Sequence, residues 1–541
     1  MSENSIATGK QVEPIIANLA REVPHEMSRN NIAGLSMVLV SREGTIWTGC
    51  FGYTDMMKVQ KINEDTLFGL QSTTKTITTV AFLLAVQKGL AKLDDPLVNH
   101  YPEFTVNSRY GKDEYRKISF RHLLSHSSGL AMEGRMGGVF NHDPCTFEEH
   151  VQSISNSWLK FPVGTGFSYS NAGMNIVAYA LERITRMPYP EYVQRALGDP
   201  LGIIFNYDTQ KVHEISNSAK GHLGKRQALP VDPVGLGCGA AHLSIKDQAV
   251  FVRFLLNSGA FNGRQILDSS YIDEMHSSDK EGGYGLGTFI GNDCGAAFCY
   301  HPGGGFGLRS ELYWLPRYGF GVAAFANQEY ERYLGPLTKK IVKLILKEKG
   351  VDPQTTDFPY KGAPFKESSS KSMEKLEGVY SGTWNTVRIK LDKGKLYLFY
   401  PKRKVELRPY SATAFGAQSP KGLLFQLDEK GNPVSMKMYS ENLGVLHLSY
   451  LGILSQKRGP KREAWSRFAG KYTMIVYGTV RVSIAVRMNL DGYLHLEGWR
   501  NERLYEHPNI PNLFFTYQGD AVIFEHDHML YGNTNWRKGS V

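Results

Sequence analysis

Cysteine is scarce in this sequence: Cys50, Cys145, Cys238, Cys294 and Cys299 are the only five in 541 residues. They are too few and too scattered for a disulfide framework. Cys294 and Cys299 have no second Cys or His pair at metal-ligand spacing. The thiols therefore read as small buried hydrophobes, and no metal is expected. Also missing is any run of about 18 apolar residues, which excludes a membrane-spanning helix. The N-terminal stretch lacks the apolar core of a secretory signal, so a cytoplasmic location is expected. With 42% hydrophobic and 21% charged residues, the chain is not globally disordered.

Acidic residues are thin in the C-terminal third. Residues 361–541 hold 27 Lys+Arg against 16 Asp+Glu, so the formal charge of +10 arises there. The densest stretches are Lys402-Arg403-Lys404, Lys457-Arg458 and Lys461-Arg462. No nucleic-acid-binding motif accompanies them, so they read as a solvated face or linker and no nucleic-acid partner is expected.

Apolar periodicity predicts helices over 11–27, 75–89, 171–185 and 245–257. Ser244 and Asp247 mark the start of the last one. Strands are predicted at 35–40, 45–51, 297–301, 309–315 and 319–326, with Arg42-Glu43-Gly44 as a hairpin turn. Strands at both ends with helices between imply an α/β mixture, one antiparallel sheet closed by both termini. This domain is expected to run to residue 351. Residues 352–375, rich in Pro, Ser and Lys, read as a linker. Short alternating strands then take over. Leu376-Glu377-Gly378-Val379-Tyr380 and Phe468-Ala469-Gly470-Lys471-Tyr472 open two similar segments. They predict two small antiparallel β-barrels, at 376–454 and 465–541, joined by a linker at 455–464.

Three short motifs carry chemistry. SxxK occurs several times, Ser72, Ser277, Ser368 and Ser372 among them, but only Ser72 opens a strong apolar helix. There Lys75 shares a helical face with Ser72 and can reach its hydroxyl. The N–H groups of the helix start would stabilise an alkoxide or oxyanion. Tyr169-Ser170-Asn171 follows a Gly- and Pro-rich approach and precedes a helix. A tyrosine there can serve as general base, and Asn171 can donate to a carbonyl or hold the lysine. The same pattern at Tyr531-Gly532-Asn533 shows how cheap the letters are. His301-Pro302-Gly303-Gly304 lies between strand-like stretches. Glycines there let a substrate backbone approach, and one N–H can join that of Ser72 in an oxyanion hole. His301 could donate to the leaving group or to the reacting carboxyl. His222-Leu223-Gly224 shares the pattern without the strands.

In this order and spacing the motifs resemble the serine β-lactamase and penicillin-binding-protein superfamily, in its class C β-lactamase-like branch. His122-Leu-Leu-Ser125-His126-Ser-Ser-Gly129-Leu130 is similar to the family's LLSHTSGL. Residues 236–247 are similar to its glycine-rich segment before a helix. His126 and Asp247 fall there and read as structural. The resemblance covers about residues 12–350. It implies Ser72 as nucleophile, Lys75 and Tyr169 sharing proton traffic, and Asn171 orienting Lys75 and the substrate amide. It also implies N–H groups of Ser72 and Gly304 in the oxyanion hole, beside Gly303, with no cofactor.

The sequence departs from the family's KTG triplet, reading His-Pro-Gly. The groups that bind a substrate carboxylate are missing, which disfavours a β-lactamase or carboxypeptidase. One catalytic domain followed by two lipocalin-like barrels looks like the bacterial D-stereospecific aminopeptidases. The resemblance implies that a loop of the last barrel recognises the substrate's free amine. Glu502, Glu506 and Asp520 are carboxylates of that barrel. The expected activity is an aminopeptidase acting on small peptides or amides and releasing an N-terminal D-residue. An esterase or peptide transacylase using the same site is one alternative. A silent scaffold that binds peptide or cell-wall fragments is another. The barrels leave a homodimer open.

Overall fold

The computed structural model describes residues 9–138, 144–228, 234–277, 283–291, 296–329, 331–351, 358–360, 362–381, 386–400, 403–417, 420–440, 444–452, 463–476, 480–489, 492–497, 502–516 and 518–539. They form two compact units, one built on Met1–Pro353 and the other on Gln354–Met474 with Arg481–Val541.

The first unit is organised by a six-stranded antiparallel sheet. Its order is Thr45–Gly52, Gly34–Ser41, Phe320–Ala326, Leu308–Leu315, Phe298–Gly305, Phe289–Gly291. The strand Gly34–Ser41 pairs on both sides and is buried along its whole length. That is why its sequence is an unbroken apolar run rather than an alternation. Leu35, Met37 and Leu39 pack with Val12, Leu19 and Val23 of helix Gly9–Arg29 and Leu337 and Ile341 of helix Leu334–Glu348. Val38 and Val40 face the opposite core, shared with helices Thr74–Gln87, Asn171–Thr185 and Ile245–Leu256. Apart from helix Leu334–Glu348 and strand Phe289–Gly291, which the sequence reading does not include, these helices and strands fall where apolar periodicity puts them. Ser244 Oγ caps the last helix by accepting from Asp247 N at 3.0 Å, and Asp247 is structural as expected.

The Thr74–Gln87 helix is buried on every side from Thr74 to Ala85. Its threonines make this tolerable. Thr76 and Thr79 donate back to the carbonyls of Thr73 and Lys75, at 2.7 and 2.8 Å. Among the described residues, no helix is long and apolar enough to cross a membrane.

In the second unit, eight strands between Gly378 and Gly452 close into a barrel. Nine more, from Gly470–Val476 to Thr534–Lys538, form one antiparallel sheet. Its two edge strands, Glu502–Arg503 and Tyr505–Glu506, are separated only by Leu504, so the sheet curls back on itself. The sequence repeat is a structural one. Tyr380 Oη donates to Leu376 O, and Tyr472 Oη donates to Phe468 O, each at 2.9 Å.

The expected linker at 352–375 differs from what is seen in its described part. Phe358 packs against Tyr410 and Tyr439, and Phe365 stacks on Tyr410 with ring centroids 4.6 Å apart. Helix Ser370–Glu374 buries Met373 in the barrel core. The polar composition disguised three aromatic residues, Phe358, Tyr360 and Phe365, that dock on the first barrel. Of the linker expected at 455–464, residues 455–462 lie outside the described residues, as do Lys402 and the later basic pairs. Lys404 is on a solvated face, 2.8 Å from Asp392 and over the Tyr397 ring.

His276 gives a test of the first core. It ends helix Ser269–His276 and accepts from Trp314 Nε1 at 3.0 Å. Burial pushes its pKa down to about 4. Below about 6.5 the unfolded chain takes a proton at this ring that the folded chain refuses, so folding weakens as pH falls toward 4. We expect His276→Gln to remove about 3 kcal/mol of that acid destabilisation between pH 6.5 and 4. Urea unfolding of both chains across that range reads it; parallel curves for the two would contradict it.

Candidate active site

Strand Leu67–Gly69 pairs with His242–Ser244, and Leu70 N donates to Ala241 O at 2.8 Å. The chain then turns through Gln71, whose φ of +52° is left-handed. A 3₁₀ turn, Gln71–Thr73, leads into the Thr74–Gln87 helix. This sharp entry leaves Ser72 partly exposed while Lys75 is fully buried. Lys75 Nζ lies 3.1 Å from Ser72 Oγ and donates to Cys238 O at 2.8 Å.

The glycine-rich segment 235–239 supplies that carbonyl. Thr78 Oγ1 donates to Gly237 O at 2.7 Å, and Gly237 N donates to Asn175 Oδ1 at 3.2 Å. A Cβ on Gly237 would sit 2.3 Å from Met174 O. Only glycine lets this segment wedge between the helix carrying Lys75 and helix Asn171–Thr185.

Tyr169 stands just before that second helix. Ser170 caps the helix, accepting from Gly173 N at 2.9 Å and donating to Ala131 O at 2.7 Å. The Tyr169 ring centroid is 4.7 Å from Lys75 Nζ. His126 is completely buried, with its ring 4.5 Å from that of Tyr169, and its Nδ1 accepts from Ser170 N at 3.2 Å. Burial, then Lys75 and His301, hold His126 well below its ordinary pKa.

Strand Phe298–Gly305 forms the third wall. Strand Phe289–Gly291 covers it only at Phe298, Cys299 and Tyr300, so the backbone from His301 onward has no strand partner on that side among the described residues. The turn that carries Ser72 lies there. A Cβ on Gly303 would be 2.4 Å from Leu70 O and 3.1 Å from Ser72 N. Ser310, paired with Gly303, donates to Leu70 O at 2.6 Å and ties the turn to the sheet. Gly304 is exposed.

The structure thus brings Ser72, Lys75, Tyr169 and Gly303 together, and the expected partners differ at two points. Asn171 Nδ2 donates to buried Glu133 at 2.6 Å, and its Oδ1 has no hydrogen-bond partner among the described residues. Lys75 is held by a backbone carbonyl instead. His301 is fully buried, with Nδ1 at 2.8 Å from Pro302 O and Nε2 at 3.1 Å from Tyr284 Oη. Both ring nitrogens are engaged, so this ring is not free to serve a leaving group. Burial, then Lys75, push its pKa down to about 3, which keeps it neutral. The Gly-rich stretch was expected to be a turn beyond a strand; it is strand, so pleat geometry sends the imidazole inward.

Other copies of the motifs are structural, while Lys280 of the Ser277 copy lies outside the described residues. Ser368 and Ser372 pair at 3.1 Å beside the short helix. Tyr531–Asn533 makes a hairpin turn, with Gly532 at φ +56° and Asn533 at φ +69°. His222 Nδ1 is 3.0 Å from Asn327 O. Glu502, in the second unit, accepts from Gln518 Nε2 at 2.9 Å. Glu506 and Asp520 belong to the same unit. Sequence reasoning missed Glu133, Tyr284 and the Cys238 carbonyl. Only Tyr284 carried a signal, a lone aromatic in Gly282-Gly283-Tyr284-Gly285-Leu286-Gly287. No three His, Cys, Asp or Glu side chains converge as a metal site among the described residues.

A family model described as Beta-lactamase matches residues 19–344. Beta-lactamase-like protein 2 of Dictyostelium discoideum is 25% identical over 281 residues, 49% of this chain and 50% of its own length. Protein flp of Staphylococcus aureus strain N315 is 22% identical over 334 residues, 60% of this chain and 66% of its own. The chain therefore spans between half and two thirds of the length of these relatives. Among solved structures, the octameric penicillin-binding protein homologue from Pyrococcus abyssi is similar at a TM-score of 0.56 and 21% identity. It covers 80% of this chain and 100% of its own. SurE, solved with D-Leu, gives a TM-score of 0.56 at 17% identity, covering 82% and 100%. At these identities the structural likeness concerns the fold.

Gly303→Ala tests the wall. The new methyl meets the backbone of Leu70, so the strand or the nucleophile's turn must move. A shift of about 1 Å there is expected to slow fluorophosphonate labelling of Ser72 about 100-fold. Labelling at the wild-type rate would show that the strand does not set the nucleophile's position.

Proposed function

The chain belongs to the beta-lactamase family, a family of serine hydrolases, and on that premise we propose that it acts through an acyl-enzyme at Ser72 to release the N-terminal residue of small peptides or amides, a D-residue foremost. The observation that carries this reading is the placement of Lys75 Nζ, 3.1 Å from Ser72 Oγ, anchored on Cys238 O and facing the Tyr169 ring.

Ser72 Oγ attacks the scissile carbonyl and passes its proton to the Lys75–Tyr169 pair. The carbonyl oxygen turns toward the N–H groups of Ser72 and Gly304, which stabilise the developing charge. The tetrahedral intermediate collapses, the pair returns the proton to the departing amine, and the acyl group stays on Ser72. Water, activated by the same pair, then releases the acid. No cofactor enters these steps.

The substrate class follows from charge. At the position of the KTG lysine this chain has a buried, neutral His301, so that position supplies no cation for a terminal carboxylate. That favours substrates whose recognised end is a free amine. The D-leucine in the structure of SurE is in keeping with a D-residue on the acyl side. An ester or acyl-transfer reaction is the second reading. With both His301 nitrogens engaged, the leaving group depends on Lys75 and Tyr169 alone, and an alkoxide needs less help to depart than an amine.

Initial rates on D-alanine and L-alanine p-nitroanilides, with Ser72→Ala as control, decide between them. A D-over-L preference that vanishes in the variant is expected. No turnover of either anilide, in a chain that still labels at Ser72, would move the assignment to an esterase or transacylase. Lys75→Ala is expected to lower the labelling rate by about 10²–10⁴-fold. Absence of labelling in the wild-type chain would point to a silent scaffold.

A further inference from the structure

Tyr284 takes no part in the steps above, yet its hydroxyl meets the ring that replaces the family's lysine. Proton positions in this contact can be worked out from the partners. Pro302 O is a carbonyl and can only accept, so the hydrogen bond at 2.8 Å requires a proton on His301 Nδ1. A neutral imidazole then has a lone pair on Nε2, and the contact at 3.1 Å requires that Tyr284 Oη donate to it. The three groups form a directed chain, Tyr284 O–H to His301 Nε2, and His301 Nδ1–H to Pro302 O.

That chain ends on the peptide joining Pro302 to Gly303. Gly303 packs against Ser72 N and Leu70 O, and Gly304 follows it at the exposed edge. Pro302 has no N–H of its own, so the strand loses a backbone donor where the site needs it rigid. We propose that Tyr284 is a positioning residue: its hydroxyl holds His301 in the Nδ1–H tautomer, and that ring fixes the Pro302–Gly303 peptide so that the Gly304 N–H is presented beside Ser72.

The aromatic ring of Tyr284 has a separate, packing role. Its centroid lies 4.6 Å from that of His126 and 4.6 Å from that of Phe289. Tyr284→Phe keeps this packing and removes only the donor. His301 Nε2 is then a buried acceptor without a partner, and the tautomer with its proton on Nε2 becomes favoured. That tautomer turns a lone pair toward Pro302 O, and the peptide is released. His301→Asn offers the complement, because its amide can still donate to Pro302 O without needing Tyr284.

The inference rests on the Ser72 nucleophile reading, so the readout is the rate of Ser72 phosphonylation by a fluorophosphonate, which requires no particular substrate. Tyr284→Phe is expected to slow it about tenfold in the wild-type background and less than twofold in the His301→Asn background. An equal effect in both backgrounds, or none in either, would overturn the relay. In parallel, ¹⁵N-histidine labelling of the intact chain reads the His301 tautomer, assigned with the His301→Asn variant. A ring protonated on Nδ1 is expected, and one protonated on Nε2 overturns the proposal. If the wild-type chain does not label, the nucleophile reading fails, and the tautomer still judges the relay by itself.

Discussion

A lysine amine buried between two helices and a sheet needs an acceptor for its N–H groups, because an unpaired one would cost several kcal/mol. Much of the first unit answers that requirement. Ser72 Oγ and the Cys238 carbonyl are the two acceptors at Lys75 Nζ. To bring the carbonyl in, the segment 235–239 must pass close to both helices, so it is glycine-rich and tied down by Thr78 and Asn175. The Thr-rich helix can be buried all round because the Thr76 and Thr79 hydroxyls fold back on its own carbonyls. The surroundings hold two histidines, His126 and His301, that burial and Lys75 both keep neutral. The site thus avoids placing further positive charge beside the amine.

The fold was legible where periodicity is strong. The long helices, the central strands and the two-domain change of texture follow from hydrophobic pattern and turn chemistry. Ser72 and Lys75 were legible because only one of the SxxK copies opens an apolar helix. Tyr169 was legible from its place between a turn-rich loop and a capped helix. The failures have a common cause. A backbone acceptor such as the Cys238 carbonyl leaves no mark in residue type. The direction of His301 depends on strand register, where a one-residue difference sends a side chain to the other face. Asn171 could be placed but not its partner, since Glu133 lies 38 positions away in another loop. The segment 358–375 was misread because its aromatic residues are sparse among polar ones.

The strand His301–Gly304 borders the turn that carries Ser72 with only Gly304 at the surface, a backbone lacking a strand partner on that side among the described residues, and the His301 imidazole turned inward.

The central pairing has a cost in time. Strand Gly34–Ser41 needs Phe320–Ala326, and Gly34 N donates to Asn327 Oδ1 across 293 positions. At the usual pace of synthesis, roughly 15–60 s separate the making of the two partners. Through that interval the nascent chain carries one of its most apolar strands with only the Thr45–Gly52 hairpin arm to pair with. Ser72 and Lys75 are already made, but Gly303 and its strand are not. The turn that carries Ser72 therefore lacks its sheet wall until translation is well past its midpoint.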